Sequence, residues 1–447
     1  MISETIAAIA TASGVSSISI IRLSGKEALS IARHIAPQAS FRPRYSDLTS
    51  LYNASSVLID HALVVYFQNP YSFTGEDIVE FQCHGGIVVA EEILDAVIHH
   101  GARLAEPGEF SKRAFLNGKI DLSEAEAIAK LIEAKSVDAA KILARQLKGE
   151  LGRFVGESRE ALLKALAYSE VMIDYAEDEM PEDILLQLSG QLGSMAEAMT
   201  DIVESSRRRR GLIEGFRVAI IGKPNVGKSS LLNALLSYDR AIVSDMAGTT
   251  RDTIEEQVRI GSHVIRLIDT AGIREANDQI ERIGVERSMR SVAESDVVIA
   301  LFDGSMPWDE EDQGIMDILK ANPDKECIVA VNKSDLERVL VLPSLSAWNP
   351  IEISAKQQFQ NLTKALQERL DSIGESDALM LISARQIEAV ERCAEEISLA
   401  QEPLKKEELE FFSYHLQEAV KHIGTITRPY DNEEILDKMF GEFCLGK

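Results

Sequence analysis

The chain has 447 residues, with 47 Lys+Arg against 72 Asp+Glu, a net charge of −25 and 45% apolar side chains. About three domains fit that length, and the apolar content excludes disorder as the main theme. Acidity shared by every stretch excludes a broad basic face for nucleic acid or an anionic membrane, although a local patch for a discrete nucleic-acid partner stays compatible. The four cysteines, Cys83, Cys327, Cys393 and Cys444, form no CxxC pair, so neither a disulfide framework nor a zinc site is expected. Met1-Ile2-Ser3-Glu4 carries no basic n-region and no apolar run is long enough to span a bilayer, which reads as a reduced, cytoplasmic chain with no membrane partner.

Residues 1–118 read as α+β. Strands are expected at 17–23, 62–67 and 78–83, with helices ending at Ile35 and spanning 87–99. From residue 119 the composition turns helical. Asp121-Leu122-Ser123-Glu124-Ala125-Glu126 reads as a capping box with Ser123 as cap and Glu126 answering it. It opens one long helical stretch to about Tyr175. Arg207–Arg210 is a basic cluster at the end of the segment, either a solvated helix end or a contact for a nucleic acid or a moving neighbouring domain. Strand and helix patterns alternate over 212–372, the signature of an α/β domain. Helical patterns return at 383–400 and 407–422. The fold class is therefore α/β and α. An N-terminal α+β domain (1–118) precedes a helical domain in two chain segments (119–211 and 373–447), with an α/β domain (212–372) inserted between them.

The apolar strand 216–221 runs into Gly222-Lys223-Pro224-Asn225-Val226-Gly227-Lys228-Ser229, and an amphipathic helix follows from Ser230. That is the P-loop pattern in its proper setting. Glycines let backbone N–H groups point at phosphate oxygens, and the helix N-terminus adds a favourable dipole. Lys228 is expected to reach the β- and γ-phosphates, and Ser229 to offer an oxygen to Mg²⁺. Asp269-Thr270-Ala271-Gly272 follows the strand 264–268, 41 residues past Lys228. Asp269 can hold Mg²⁺ through water, and the Gly272 N–H can sense the γ-phosphate. Asn332-Lys333-Ser334-Asp335 follows the strand 327–331, and the Asp335 carboxylate can accept two N–H bonds from the guanine edge. Adenine lacks that pair of donors, and sites of this kind discriminate by up to ~10⁴-fold or more. Ser354-Ala355-Lys356 follows the strand 351–353, where a backbone N–H can contact the guanine O6. These four ordered elements at strand ends make 212–372 a Ras-like P-loop GTPase domain that binds GTP.

The site lacks one familiar part. Small signalling GTPases carry a water-orienting glutamine after the DxAG glycine, and here the position is Ile273. Arg251 and Arg274 lie near the site either as surface residues or as transition-state cations. Between the P-loop helix and Asp269 lies Ser244-Asp245-Met246-Ala247-Gly248-Thr249-Thr250-Arg251-Asp252, where a threonine can close onto Mg²⁺ and the γ-phosphate. Asn225 brings a neutral oxygen beside the phosphates. With switch backbone oxygens it can hold a monovalent cation at the arginine-finger position, where such a charge is worth ~10³–10⁵-fold.

The asparagine-bearing P-loop, Gly248–Asp252 and Asp269–Glu275 resemble the bacterial MnmE (TrmE) family of tRNA modification GTPases. So do Ser72–Asp77, Pro107–Ser111, Arg113–Asn117 and the terminal Phe443–Lys447, so that the resemblance spans essentially the whole chain. It implies a homodimer joined through the N-terminal domains, and a heterotetramer with the FAD-dependent flavoprotein MnmG. It implies addition of a carboxymethylaminomethyl or aminomethyl group at C5 of the wobble uridine of certain tRNAs. The implied one-carbon donor is a tetrahydrofolate derivative, in the 5-formyl or 5,10-methylene form. It also implies a potassium-dependent GTPase, driven by face-to-face G-domain dimerisation. The family's K⁺ ligands fall on Asn225, Ser244, Met246 and Thr249, and its Mg²⁺ ligands on Ser229 and Thr250. Its catalytic residues fall on Lys228, Thr250 and Glu281, the glutamate placing water indirectly. Nucleotide and cation contacts fall on Asn225, Val226, Gly227, Lys228, Ser229 and Ser230, on Ser244 through Thr250, and on Asp269 through Gly272. They also fall on Asn332, Lys333, Asp335, Ser354 and Ala355. Ser244 stands where many members carry threonine, and the needed oxygens remain.

Folate contacts fall on Arg22, Glu80, Lys119 and Lys447. Read from the residues alone, Arg22 and Glu80 are half-exposed sheet positions. Phe440, Phe443 and Leu445 make an apolar tail that is expected to dock and to carry Lys447 into a pocket, while Cys444 is either a small buried hydrophobe or a reactive thiol. The alternatives to an enzyme subunit are a regulatory GTP switch that only binds a partner, and a dimerisation scaffold.

Overall fold

A computed structural model describes residues 4–12, 14–174, 182–238, 256–268, 289–341, 348–374, 378–428, 433–441, 443 and 446. The chain forms two compact units, one from residues 1–129, 146–180 and 402–447, the other from 130–145 and 181–401.

The first unit holds a six-stranded sheet. Its strands are β1 (Ile6–Ile9), β2 (Ile18–Ser24), β3 (Ser46–Tyr52), β4 (Leu58–Phe67), β5 (Ile78–His84) and β6 (Arg103–Leu104), in the order β3-β4-β5-β2-β1-β6. All pairs are antiparallel except β1–β6. Ile21, Leu23, Val64 and Phe81 pack against Ile31 and Ile35 of the helix Ala28–Ile35 and against Ile93 and Val97 of the helix Ile87–His99. One face is thus a dry core, and the strand alternation follows from it. A further helix, Glu109–Leu116, sends Phe110 into a cluster with Ile6, Ala8 and Ala105. The strands expected from the sequence are present. β1, β3 and β6 are additional: the first two are short or polar, and β6 has only two residues.

Two expectations need correction. The single long helix to Tyr175 is three helices, Leu122–Glu133, Val137–Leu147 and Glu150–Asp174. Ser136 causes the first break: its hydroxyl accepts the Ala139 N–H at 3.1 Å and donates to the Leu212 carbonyl at 3.2 Å. The second break is a turn closed by the Gly149 N–H on the Gln146 carbonyl at 2.9 Å. The capping box is also displaced. Asp121, not Ser123, is the cap: its Oδ1 accepts the Glu124 N–H at 2.8 Å, and Glu124 Oε2 accepts the Asp121 N–H at 2.8 Å. The carboxylate prevails because it takes charge-assisted bonds from both this N–H and the Ser123 hydroxyl, which donates at 2.7 Å. The helix Glu150–Asp174 packs along Leu409–Gly424, with Ser169 Oγ 2.7 Å from Ser413 Oγ.

The second unit holds β7 (Phe216–Ile221), β8 (Glu256–Ile260), β9 (His263–Leu267), β10 (Val297–Asp303), β11 (Glu326–Asn332) and β12 (Ile351–Glu352), in the order β12-β11-β10-β7-β9-β8. All pairs are parallel except the β8–β9 hairpin. β10 is buried at all seven positions, as a strand covered on both faces must be. The helices Lys228–Tyr238, Glu310–Ala321 and Gln360–Gly374 supply Leu231, Leu235, Leu319 and Leu366 to the two apolar layers. The strand order reverses at β7, with β9 on one side and β10 on the other. In such sheets ligands bind outside the carboxyl ends of the strands at that switch point. The same unit includes Val137–Arg145, whose Ile142 packs on the sheet's core.

Candidate functional site

β7 delivers the chain to the switch point, and Gly222–Gly227 turns there into the helix Lys228–Tyr238. Asn225 adopts φ +61° and Gly227 φ +104°. A Cβ at Gly227 would fall 2.3 Å from Asn332 Nδ2, so only glycine fits. The space lets Asn332 Nδ2 donate to the Val226 carbonyl at 2.8 Å while its Oδ1 accepts the Ala355 N–H at 2.9 Å. One buried amide therefore ties the P-loop to the turn after β12. In this conformation the Ala355 N–H, one of those in the Ser354–Lys356 segment expected beside guanine O6, is taken by Asn332. Lys228 Nζ donates to the carbonyls of Gly222 at 2.6 Å and Lys223 at 2.8 Å. Burial lowers its pKa and the charge of Glu311 opposes that. Ser229 is exposed at the first turn of the helix.

Lys333 stands at φ +65° with Nζ 2.5 Å from Asp303 Oδ2. Asp303 Oδ1 accepts the Ser305 N–H at 3.0 Å and its hydroxyl at 2.7 Å. Burial works against ionisation of Asp303, but these bonds prevail and hold its pKa below the ordinary value. Asp335 is exposed, and its carboxylate has no partner among the described residues. The buried Ser354 hydroxyl likewise has none among them. Ser230, Ser237, Lys356 and Phe359 line a cleft of about 450 Å³ beside this turn. A glycine cradle, a free carboxylate and an unspent buried hydroxyl fit a guanine nucleotide.

In the first unit Arg22 and Glu80 lie directly opposite each other on β2 and β5, with Nε 2.8 Å from Oε1 and the side chains 23% and 13% exposed. The Arg22 guanidinium also lies 5.7 Å from the centre of the Phe110 ring. Lys119 Nζ donates to the Pro70 carbonyl at 2.7 Å. The tail docks as expected. Phe440 is buried, with the Phe443 and Phe115 rings 5.2 and 6.2 Å away. Gly446, at φ +90°, sits so close to β1 that a Cβ would fall 2.5 Å from the Ile9 carbonyl oxygen. Ala8, next to Ile9, pairs with Arg22. Ser244, Asp245, Met246, Ala247, Gly248, Thr249, Thr250, Asp269, Thr270, Ala271, Gly272, Glu281, Cys444 and Lys447 lie outside the described residues. Burial pushes the Cys83 and Cys327 thiols up to about 11 and Cys393 up to about 12, so all three stay protonated near neutral pH.

Comparison with known proteins adds the decisive observation. The family model described as the MnmE helical domain matches residues 122–444, and that described as the GTP-binding protein TrmE N-terminus matches residues 5–119. The chain belongs to the MnmE family. The tRNA modification GTPase MnmE of Sulfurovum sp. (strain NBC37-1) is 68% identical to it over 99% of both chains. Those of Aliarcobacter butzleri (strain RM4018) and Sulfurimonas denitrificans (strain ATCC 33889 / DSM 1251) are each 56% identical, covering 99% and 100% of both chains respectively. Among solved structures, Era in complex with MgGDPNP and a segment of 16S ribosomal RNA is 27% identical over 40% of this chain and 66% of its own, with a TM-score of 0.26. As a member of the MnmE family, the chain is a GTPase of tRNA modification. Among the described residues no helix is long and apolar enough to cross a membrane.

The MnmE-like motifs of the N-terminal unit meet in a cluster that sequence reading left without a role. Arg113, 2% exposed, donates to Glu109 at 2.9 Å and Glu76 at 3.0 Å. Arg103 donates to both oxygens of Glu109, at 2.6 and 2.8 Å. Ser24 Oγ donates to Glu76 at 2.8 Å and lies 2.7 Å from Thr74 Oγ1, while Asn117 Nδ2 donates to the Thr74 carbonyl at 2.7 Å. The only advance signal was the i, i+4 spacing of Glu109 and Arg113. In Arg207–Arg210, Arg207 pairs with Glu391 at 2.7 Å, the buried Arg209 donates to the Ala378 carbonyl at 3.0 Å, Arg210 pairs with Glu214 at 2.7 Å, and Arg208 is exposed.

Proposed function

We propose that this MnmE-family chain is a potassium-dependent GTPase that acts with the flavoprotein MnmG. Together they add a carboxymethylaminomethyl or aminomethyl group at C5 of the wobble uridine of certain tRNAs. The one-carbon unit comes from a tetrahydrofolate derivative, and FAD resides on the partner. The working unit is a homodimer through the N-terminal domains, within a heterotetramer, in the cytoplasm. The domains run 1–118, 119–211 with 373–447, and 212–372.

The observation that carries the reading is the Asn332 bridge, which sets phosphate cradle and base-reading turn as one rigid unit. Asp335 reads the guanine edge, and Lys228 keeps its two loop carbonyls while turning its charge to the phosphates. Ser229 and Thr250 would hold Mg²⁺, and Asn225, Ser244, Met246 and Thr249 would hold K⁺; bound there, the cations supply positive charge where the transition state gains negative charge. Asn225 suits that set, since its left-handed backbone exposes the side chain at the lip of the cradle. Glu281 positions the attacking water in place of the missing glutamine. Docking of Gly446 on β1 supports a folate site at Arg22, Glu80 and Lys447, with Lys119 at its margin.

The test is mass analysis of wobble-uridine nucleosides in tRNA from cells lacking the gene. Loss of the C5 modification is expected, and an unchanged nucleoside profile contradicts the reading. Replacing K⁺ by Na⁺ should slow hydrolysis strongly, and equal rates in both salts remove the cation role. Folate binding that survives Arg22→Ala and Glu80→Ala together removes the folate assignment.

A further inference from the structure

Lys223 lies inside the P-loop, yet its side chain turns away from the cradle. The side chain is 10% exposed, with Nζ 2.6 Å from Asp309 Oδ2 and 2.7 Å from Asp312 Oδ2. Those two aspartates form the capping box of the helix Glu310–Ala321. Asp309 Oδ1 accepts the Asp312 N–H at 3.0 Å, and Asp312 Oδ2 accepts the Asp309 N–H at 3.3 Å. With Glu310 and Glu311 they place four successive acids at that helix start. Acids there suit the helix dipole, but they stand beside a loop built to attract phosphate. Glu311 is near enough for its charge to act on Lys228. Burial works against the charge on Lys223, but its bonds to Asp309 and Asp312 prevail and raise its pKa. The Lys223 carbonyl is also one of the two acceptors of Lys228 Nζ. One residue therefore joins the acidic helix end to the loop and holds the phosphate-binding lysine.

We propose that Lys223 is a positioning residue that screens the Asp309 and Asp312 carboxylates from the bound phosphates and fixes the carbonyl on which Lys228 rests. Without it, two uncompensated carboxylates stand next to the P-loop, and a triphosphate suffers more than a diphosphate because it carries more charge. The probes are fluorescent N-methylanthraniloyl GDP and a non-hydrolysable triphosphate analogue, titrated against the full chain, with thermal melting without nucleotide as the control. Lys223→Met should weaken the triphosphate on the order of tenfold and the diphosphate clearly less. Lys223→Arg should stay within about threefold of the native chain, and adding Asp309→Asn and Asp312→Asn to Lys223→Met should recover most of the loss. A triphosphate affinity within about twofold of native overturns the proposal, as does an equal loss for both nucleotides without recovery. If Lys223→Met does not fold, Asp309→Asn alone decides. The screen expects tighter triphosphate binding, because one negative charge is gone, and unchanged or weaker binding overturns it.

Discussion

Arg113 is a fully buried guanidinium whose charge is met by two carboxylates on different segments. Removing one partner of such a group leaves a buried charge uncompensated, so Glu109→Gln should cost about 3–5 kcal/mol of unfolding free energy in a denaturant titration. Burial opposes ionisation of Glu109 most strongly. The bonds from Arg103, the Glu106 N–H and Arg113 outweigh it and hold the carboxyl at about 2 against an ordinary 4.5. Because the folded value is the lower one, this stabilisation is complete above pH 4.5 and fades as pH falls toward 2. Stability of the native chain should therefore drop across that window, and the Glu109→Gln chain should lack this component of the slope. In the nucleotide site, Asn332→Ala removes both ties of the bridge and should weaken GTP binding about tenfold or more in a nucleotide titration. Asp335→Asn should shift preference toward xanthosine nucleotides, and unchanged GTP affinity would contradict base reading by that carboxylate.

At the scale of elements, the displaced cap gives a direct test. Asp121→Ala should lower stability by about 1 kcal/mol, measured by thermal melting, and more than Ser123→Ala does. Legibility varied with the kind of signal. The strand–glycine–helix run through Gly222 and Ser229 was plain, because local chemistry alone dictates it, and so were the apolar runs of β9 and β11. β3 was not, because an edge strand written Ser-Asp-Leu-Thr-Ser carries little alternation. The break before Val137 was hidden as well. Ala134 and Lys135 continue a good helical pattern, and the Leu212 carbonyl that engages Ser136 is far away in sequence. The Glu76–Arg113 pair was equally invisible, since neither residue signals burial and only the folded sheet brings them together. Site residues carried by the family resemblance form a third kind: the Arg22–Glu80 pair and the Lys119 bond to the Pro70 carbonyl are made only in the folded unit, and nothing local in the sequence announces them.

For the whole molecule, a net charge of −25, the burial of Arg209 and the acidic partners of Arg207 and Arg210 limit what that cluster offers to phosphates, with Arg208 exposed beside them. The isolated protein should bind tRNA weakly and lose that binding as salt rises, as fluorescence anisotropy can report; tight, salt-insensitive binding without MnmG would refute this. The docked tail has a separate consequence for biosynthesis. Phe115, Ile120 and Leu122 are covered by Leu436, Phe440 and Phe443, which are made about 300 residues later. At ordinary elongation rates this apolar surface emerges on the order of tens of seconds before its cover does. The unit from 130–145 and 181–401 is fully synthesised while the first is still waiting. Until the cover arrives, the nascent chain exposes this apolar surface, of the kind that makes partly folded chains aggregation-prone.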